Sequence, residues 1–93
     1  MEAKKLVGWN IRRLRVERVL TIEELAAEAD VAPAYLGQVE RGAVNVGVVI
    51  LGRVAKVLGA RLGELFVEPL PGAKPPKPLK AGRRLVKPRK PRL

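Results

Sequence analysis

Side chains that carry covalent or acid–base chemistry are almost absent from this chain. Its 93 residues contain no Cys, His or Ser, and Thr21, Tyr35 and Asp30 are the only residues of their types. Enzymes use such groups as nucleophiles and as proton donors or acceptors. Zinc sites draw on Cys and His besides carboxylates, so most usual zinc ligands are also missing. We therefore predict that the protein is not an enzyme and that it needs no metal ion or other cofactor.

Charged side chains, in contrast, are numerous and unevenly placed. Residues 1–68 contain ten Lys or Arg and all nine acidic residues, whereas residues 69–93 contain nine Lys or Arg and no acid. The formal net charge of +10 therefore belongs almost entirely to the C-terminal segment. Basic blocks of this kind either stay solvated or neutralise the phosphates of nucleic acid.

The same C-terminal segment holds seven of the eight prolines. Proline lacks the amide donor that the interiors of helices and sheets require. We expect residues 1–68 to form one domain and residues 69–93 to form a disordered basic tail. The spacing of Pro75 and Pro78 also fits a polyproline-binding protein, so a protein partner for the tail is an alternative.

Nothing in the sequence indicates a membrane or an oxidising compartment. No stretch approaches the roughly 20 apolar residues of a membrane span, and residues 1–5 lack the apolar core of a signal peptide. The absence of Cys rules out disulfide bonds. We expect a cytoplasmic protein with no membrane contact.

Hydrophobic periodicity and capping signals place the first three helices. The first covers about residues 4–18 with one apolar stripe. Thr21 and Glu24 have the spacing of a capping box, which starts a second helix ending near residue 29. Pro33 suits the first position of a third helix, which runs to about residue 41 and stops at Gly42.

Two further helical segments complete an all-α, compact five-helix domain. An apolar stripe from Leu51 to Leu58 ends at Gly59, and residues 62–66 form a short final helix. The β-branched stretch 46–51 could locally be read as a strand. No other segment alternates with period two, so such a strand would lack a partner and we reject it.

The two short helices between Thr21 and Arg41 have the layout of a helix-turn-helix, whose second helix enters the major groove of DNA. The motifs that carry this pattern are G-W-N-I-R-R-L-R (8–15), L-T-I-E-E-L-A (20–26), V-A-P-A-Y-L-G-Q-V-E-R-G (31–42), L-x-x-V-A-K-V-L-G (51–59) and L-G-E-L-F (62–66). Together they resemble the phage-repressor or Cro type of helix-turn-helix regulator, the XRE family. The resemblance implies a repressor-like regulator of transcription that binds double-stranded DNA.

It also implies a role for individual residues. The recognition helix would be residues 32–41, with Thr21 and Tyr35 and the loop from Gly42 to Asn45 near phosphates. Arg15 and Glu40 match positions that form a structural ion pair in the family. The residues expected to contact DNA are Thr21, Ala32, Pro33, Ala34, Tyr35, Gly37, Gln38, Arg41 and Asn45.

This chain departs from the family pattern where bases would be read. Ile22, Ala32, Pro33 and Ala34 stand where the family often has hydrogen-bonding side chains. Apolar groups can meet only the C5-methyl of thymine, so Gln38, suited to adenine, is the one amide on this face. We expect modest base specificity. Val19 replaces a helix-ending glycine, and a β-branched residue resists positive φ.

Two apolar features lie outside the motif. Trp9 adjoins the stripe of the first helix, and we expect it to cover the core rather than to stack on a base. Val48, Val49 and Ile50 are more apolar than one buried helical face requires, which indicates either a dimer interface or a docking site for the tail. We favour the dimer.

The sequence therefore predicts a homodimeric, nucleoid-associated transcriptional regulator whose basic tail adds phosphate contacts. One rival is an architectural DNA binder in which the tail supplies most of the affinity. The other is a protein-interaction module, such as an antitoxin or a coactivator.

Overall fold

The computed structural model describes residues 1–72. In this part the chain forms four α-helices and a short 3-10 helix, with no β-strand. The elements are α1 (Ala3–Glu17), α2 (Ile22–Ala29), α3 (Pro33–Glu40), α4 (Val48–Leu58) and the 3-10 helix (Leu62–Phe66). The predicted all-α fold is confirmed, with the fifth helix being 3-10 rather than α. The predicted disorder of the tail concerns mainly residues 73–93, which lie outside the described residues.

Local capping chemistry sets where the helices begin and end. The Thr21 hydroxyl accepts a hydrogen bond from the Glu24 amide at 3.1 Å, and the Glu24 carboxylate accepts one from the Thr21 amide at 2.9 Å. Pro33 is the first residue of α3. Gly42 and Gly59 follow α3 and α4 with φ of 72° and 66°, the left-handed backbone that stops a helix. The capping box and both glycine stops are as predicted.

Each of the five helices contributes to one aliphatic core. Ile11, Leu25, Leu36, Leu58 and Leu65, one from each helix in chain order, are at most 1% exposed. With almost no aromatic residues available, leucine, valine and alanine fill this core. Removing one of the large side chains would leave a cavity, at a typical cost of about 2–5 kcal/mol for Leu or Ile to Ala. Trp9 is half-buried on α1.

A close approach of α1 and α3 fixes the position of the third helix. A Cβ on Gly8 would overlap the carbonyl oxygen of Val39 and lie 2.5 Å from that of Glu40. Only glycine lets the two backbones come this close. Any side chain at residue 8 would therefore push α3 away from α1.

Asn10 ties the 3-10 helix to α1. Its side chain is buried, and Nδ2 lies within hydrogen-bond distance of the carbonyl oxygens of Leu6 (3.1 Å), Leu65 (3.1 Å) and Val67 (2.9 Å). Its Oδ1 accepts a hydrogen bond from Arg13 Nη2 at 3.1 Å. A buried amide with this many partners holds the end of the domain in one place.

Candidate nucleic-acid interface

α2 and α3 form a compact two-helix unit around a short turn. Asp30 follows α2 in the left-handed backbone conformation, with φ 60°, which ends the helix and begins the turn. The amide of Val31 donates to the carbonyl of Ala26 at 3.0 Å and closes the turn. Leu25 of α2 and Leu36 of α3 are both fully buried in the shared core. These buried contacts therefore fix the orientation of α3 relative to α2.

α3 has one buried side and one open side. Leu36 and Val39 are 0% and 2% exposed. At about 100° per residue, the side chains of positions 34, 37, 38 and 41 lie away from these two, and position 33 lies at the margin of that open side. All of these are exposed except Gly37, which is partly buried, and the N-cap residue Ala32 is exposed as well. We call this set the outer face of α3: Ala32, Pro33, Ala34, Gly37, Gln38 and Arg41.

Only two side chains of the outer face, those of Gln38 and Arg41, have groups that can form hydrogen bonds. The amide of Gln38 can donate and accept together, the combination that adenine N6 and N7 require. Arg41 makes no ion pair with another residue of 1–72. A Cβ on Gly37 would lie 3.5 Å from Arg41 Nη1, so the guanidinium lies back along the outer face. Its donors are open to a phosphate or a base edge.

Thr21 and Tyr35 have structural roles besides the expected phosphate contacts. The Thr21 oxygen already caps α2 through the Glu24 amide, while its hydroxyl proton can still be donated. Glu23 and Glu24 in the first turn of α2 add negative charge that opposes a phosphate at this end. The Tyr35 ring is partly buried and packs on the core.

The loop after α3 lies beside the start of α1. A Cβ on Gly42 would lie 2.7 Å from Cγ of Lys5, so the lysine stem passes directly under the loop. Asn45 in this loop and Lys5 are both exposed. Lys5 was not among the predicted site residues. It is distant in sequence, and only the packing of α1 against α3 brings it near the loop expected to meet phosphates.

A buried ion pair supports α3 from behind. Arg15 Nε and Nη2 donate to the Glu40 carboxylate at 2.6 and 3.0 Å, and the two side chains are only 5% and 6% exposed. Arg15 Nη1 also donates to the carbonyl of Leu20 at 2.9 Å. The pair named from the resemblance is thus present in the structure. It joins α1, the turn before α2 and the end of α3, and it does not belong to the outer face.

The surplus apolar surface at the start of α4 is narrower than predicted. Val48 and Val49 are 72% and 71% exposed. Ile50, which we grouped with them, is partly buried and packs on the core. The core therefore accounts for part of its apolar side chain, and its place in the expected dimer patch stays a prediction.

Residues 1–72 lack the features of two other kinds of site. No three or more Asp or Glu side chains there are grouped so that they could hold a metal ion. In the same part of the chain, no helix is long and apolar enough to span a membrane.

Known proteins share this arrangement. The family model described as helix-turn-helix matches residues 11–65. An uncharacterized HTH-type transcriptional regulator of Sinorhizobium fredii is 43% identical over 65 residues, which is 70% of this chain and 84% of the relative. The restriction-modification controller protein C.AhdI of Aeromonas hydrophila superposes with a TM-score of 0.66 at 35% identity, covering 68% of this chain and 96% of that one. SinR, a master regulator for biofilm formation solved in complex with DNA, superposes with a TM-score of 0.61 at 33% identity. The match covers 63% of this chain and 95% of that one.

Proposed function

This chain belongs to the helix-turn-helix family, and we propose that it is a transcriptional regulator that binds double-stranded DNA. The observation that carries this proposal is the two-sided character of α3. Buried contacts hold its inner side, and its outer face is open to a partner. The structural likeness to SinR, a protein solved with DNA, supports the same reading.

In this proposal α3 enters the major groove, which is wide enough to admit an α-helix. Gln38 contacts a base, and adenine is the base that its amide fits best. The first turn of α3 and Gly37 lie along the groove floor. Arg41 lies at the end of the helix, where it reaches either a base edge or a phosphate.

Phosphate contacts would come from both flanks of α3. Thr21, Tyr35 and Asn45 would make these contacts, as expected from the family pattern. We add Lys5, because its stem runs beneath the loop that carries Asn45. Phosphate contacts of this kind fix the position of a protein on the duplex and carry no sequence information themselves.

We further propose that the protein acts as a homodimer through the start of α4. Val48 and Val49 are large apolar residues with no role in the core, which favours burial against a second copy. A dimer would place two α3 helices roughly 34 Å apart, about one turn of DNA. The DNA site would then be a pseudo-palindrome, and the protein would be associated with the nucleoid.

The division of labour between residues 1–68 and 69–93 is also a proposal. Residues 1–68 carry a net charge near +1, because ten basic residues nearly balance nine acids. Such a domain has little long-range attraction for DNA. The nine basic residues that follow would supply it and so set the strength of binding.

Selection of bound duplexes from a random pool with the full chain tests the proposed function. We expect enrichment of one motif with two half-sites. Binding without any enriched motif would favour the architectural alternative. No binding, together with a co-purifying partner protein, would favour a protein-interaction module.

A further inference from the structure

The 3-10 helix and the residues after it carry an exposed apolar surface that the core does not use. Leu62, Phe66, Val67 and Leu70 are 44%, 46%, 51% and 80% exposed. None of the four belongs to the core or packs against it. They lie close together in the sequence, and Phe66 is the only Phe in the chain. We call these four residues the terminal patch. Large apolar side chains grouped on a surface indicate a docking site.

The terminal patch is held in place by α1. Nδ2 of the buried Asn10 lies 3.1 Å from the carbonyl oxygen of Leu65 and 2.9 Å from that of Val67. Asn10 is two residues after Gly8, about 200° around the helix, and Gly8 is where α1 meets α3. The patch therefore lies on the side of α1 that faces away from α3.

Acidic side chains accompany the terminal patch. Residues 62–70 contain two acids, Glu64 and Glu68, and no basic residue. Glu68 is exposed and makes no ion pair with another residue of 1–72. A second copy of the same patch would bring like charges together, which opposes association. A segment with apolar side chains between basic ones complements the patch better.

The C-terminal segment contains one such stretch, R-R-L-V-K (83–87). Leu85 and Val86 are the only adjacent large apolar residues in 73–93, and basic residues flank them on both sides. The chain from Gly72 to Leu85 can span at most about 45 Å, which is long enough for it to turn back on the patch. A short flexible tether gives an effective concentration of about a millimolar, so a weak contact is enough.

We propose that residues 83–87 dock on the terminal patch of the same chain. Leu85 and Val86 cover the Phe66 ring and its apolar neighbours, and the flanking cations lie near Glu68. Because the patch faces away from α3, docking holds part of the positive charge of the tail away from a duplex at α3. DNA must then compete for these cations. The docking itself does not depend on the proposed function.

A single spin label tests the docking in the full chain. The chain has no Cys, so a nitroxide can be attached at the one thiol of an Ala81→Cys variant. The label should broaden the amide signals of residues 62–70 and leave those of residues 48–52 sharp. Sharp signals throughout 62–70 would overturn the docking. Equal broadening in isotope-enriched chains without a label, mixed with labelled chains, would place the tail on a second copy and would overturn it as well.

Matched variants of the labelled chain identify the contacting residues. Leu85→Ser changes the tail alone and should abolish the broadening of residues 62–70, whereas Leu93→Ser removes an equally large tail residue and should keep it. Phe66→Ser should abolish the broadening from the side of the patch. Val49→Ser, at an exposed apolar residue elsewhere, should keep it. Persistent broadening in Leu85→Ser would contradict the assignment of the docking segment.

Affinity for random duplex shows whether docking masks the tail. Leu85→Ser keeps the net charge, yet it should bind random duplex several-fold more tightly at low salt, because no part of its tail is held on the patch. Leu93→Ser should bind as the wild type does. Unchanged affinity in Leu85→Ser despite lost broadening would overturn the masking. Failure of every chain to bind DNA, the wild type included, would refute the proposed function and leave the docking in place.

Discussion

In the proposed function, Gln38 is the residue on which base readout by α3 depends most. It is exposed, and it is the only Gln in the chain. Gln38→Ala should weaken binding to the selected site by about 1–3 kcal/mol, because a bidentate base contact contributes only where the base is correct. Affinity for random duplex should stay nearly unchanged. Titrations on both duplexes measure this, and equal losses on the two would show that Gln38 reads no base.

Val19 holds a strained backbone at the end of α1. Its φ is 57°, in the left-handed region that costs an L residue roughly 1–2 kcal/mol. Val19→Gly should raise the free energy of unfolding by up to about 1 kcal/mol, after the entropy cost of glycine in the unfolded chain. Urea denaturation measures the change.

Gly59 offers the reverse substitution as a matched control. It has φ 66°, and a Cβ there would meet nothing within 4 Å. Gly59→Val should therefore destabilise through backbone strain alone, by about 1–2 kcal/mol. Stabilisation by Gly59→Val, or loss of stability in Val19→Gly, would contradict the assignment of strain.

Residues whose role is local were predictable from the sequence, whereas residues whose partners are distant in the chain were not. The capping box of Thr21 and Glu24 spans three residues, so the spacing alone indicates it. Asn10 contacts Leu65 and Val67 across more than fifty residues, and nothing in the local pattern signals that. Lys5 beside Gly42 is a case of the same kind.

At the scale of elements, the helix bounds were predictable because caps and apolar stripes are local signals. α3 was expected to end near residue 41 and ends at Glu40, with Arg41 as its C-cap. The last element was expected as a helix and is 3-10, since five residues are too few for a stable α-helical segment. The crossing of α1 and α3 at Gly8 depends on backbone contact and needed the structure.

The buried pair of Arg15 and Glu40 is the polar link between α1 and α3. Glu40→Ala should leave the arginine charge buried and unpaired and should destabilise by about 3–5 kcal/mol. The double variant Arg15→Met, Glu40→Leu removes both charges and should recover much of that loss. A double-mutant cycle in urea measures the coupling.

A destabilisation below about 1 kcal/mol for Glu40→Ala, typical of an exposed pair, would contradict the role assigned to this link. Under conditions in which Glu40→Ala stays folded, it should also lose DNA affinity, because the ion pair no longer holds the end of α3. Full affinity in a destabilised variant would show that α3 is positioned without the pair.

At the scale of the whole molecule, dimer formation through α4 is the first question. Val49→Glu would place two like charges in one small two-fold patch and should split the dimer. Ala27→Glu adds the same charge at an exposed position of α2 and should leave the assembly unchanged. Sedimentation velocity distinguishes the species. A wild-type chain that is monomeric even on DNA, or an unchanged species in Val49→Glu, would end the dimer proposal.

The central claim is that residues 1–68 choose the DNA site and that residues 69–93 add strength. Its most direct test measures affinity across a salt series for the full chain and for a chain truncated after Glu68, on selected and random duplexes. Each phosphate neutralised contributes about 0.9 to the slope of log affinity against log salt, so truncation should reduce that slope by several units. The ratio of affinities for selected over random duplex should stay the same. If that ratio falls to one in the folded truncated chain, the tail reads sequence and the assignment of recognition to α3 is wrong.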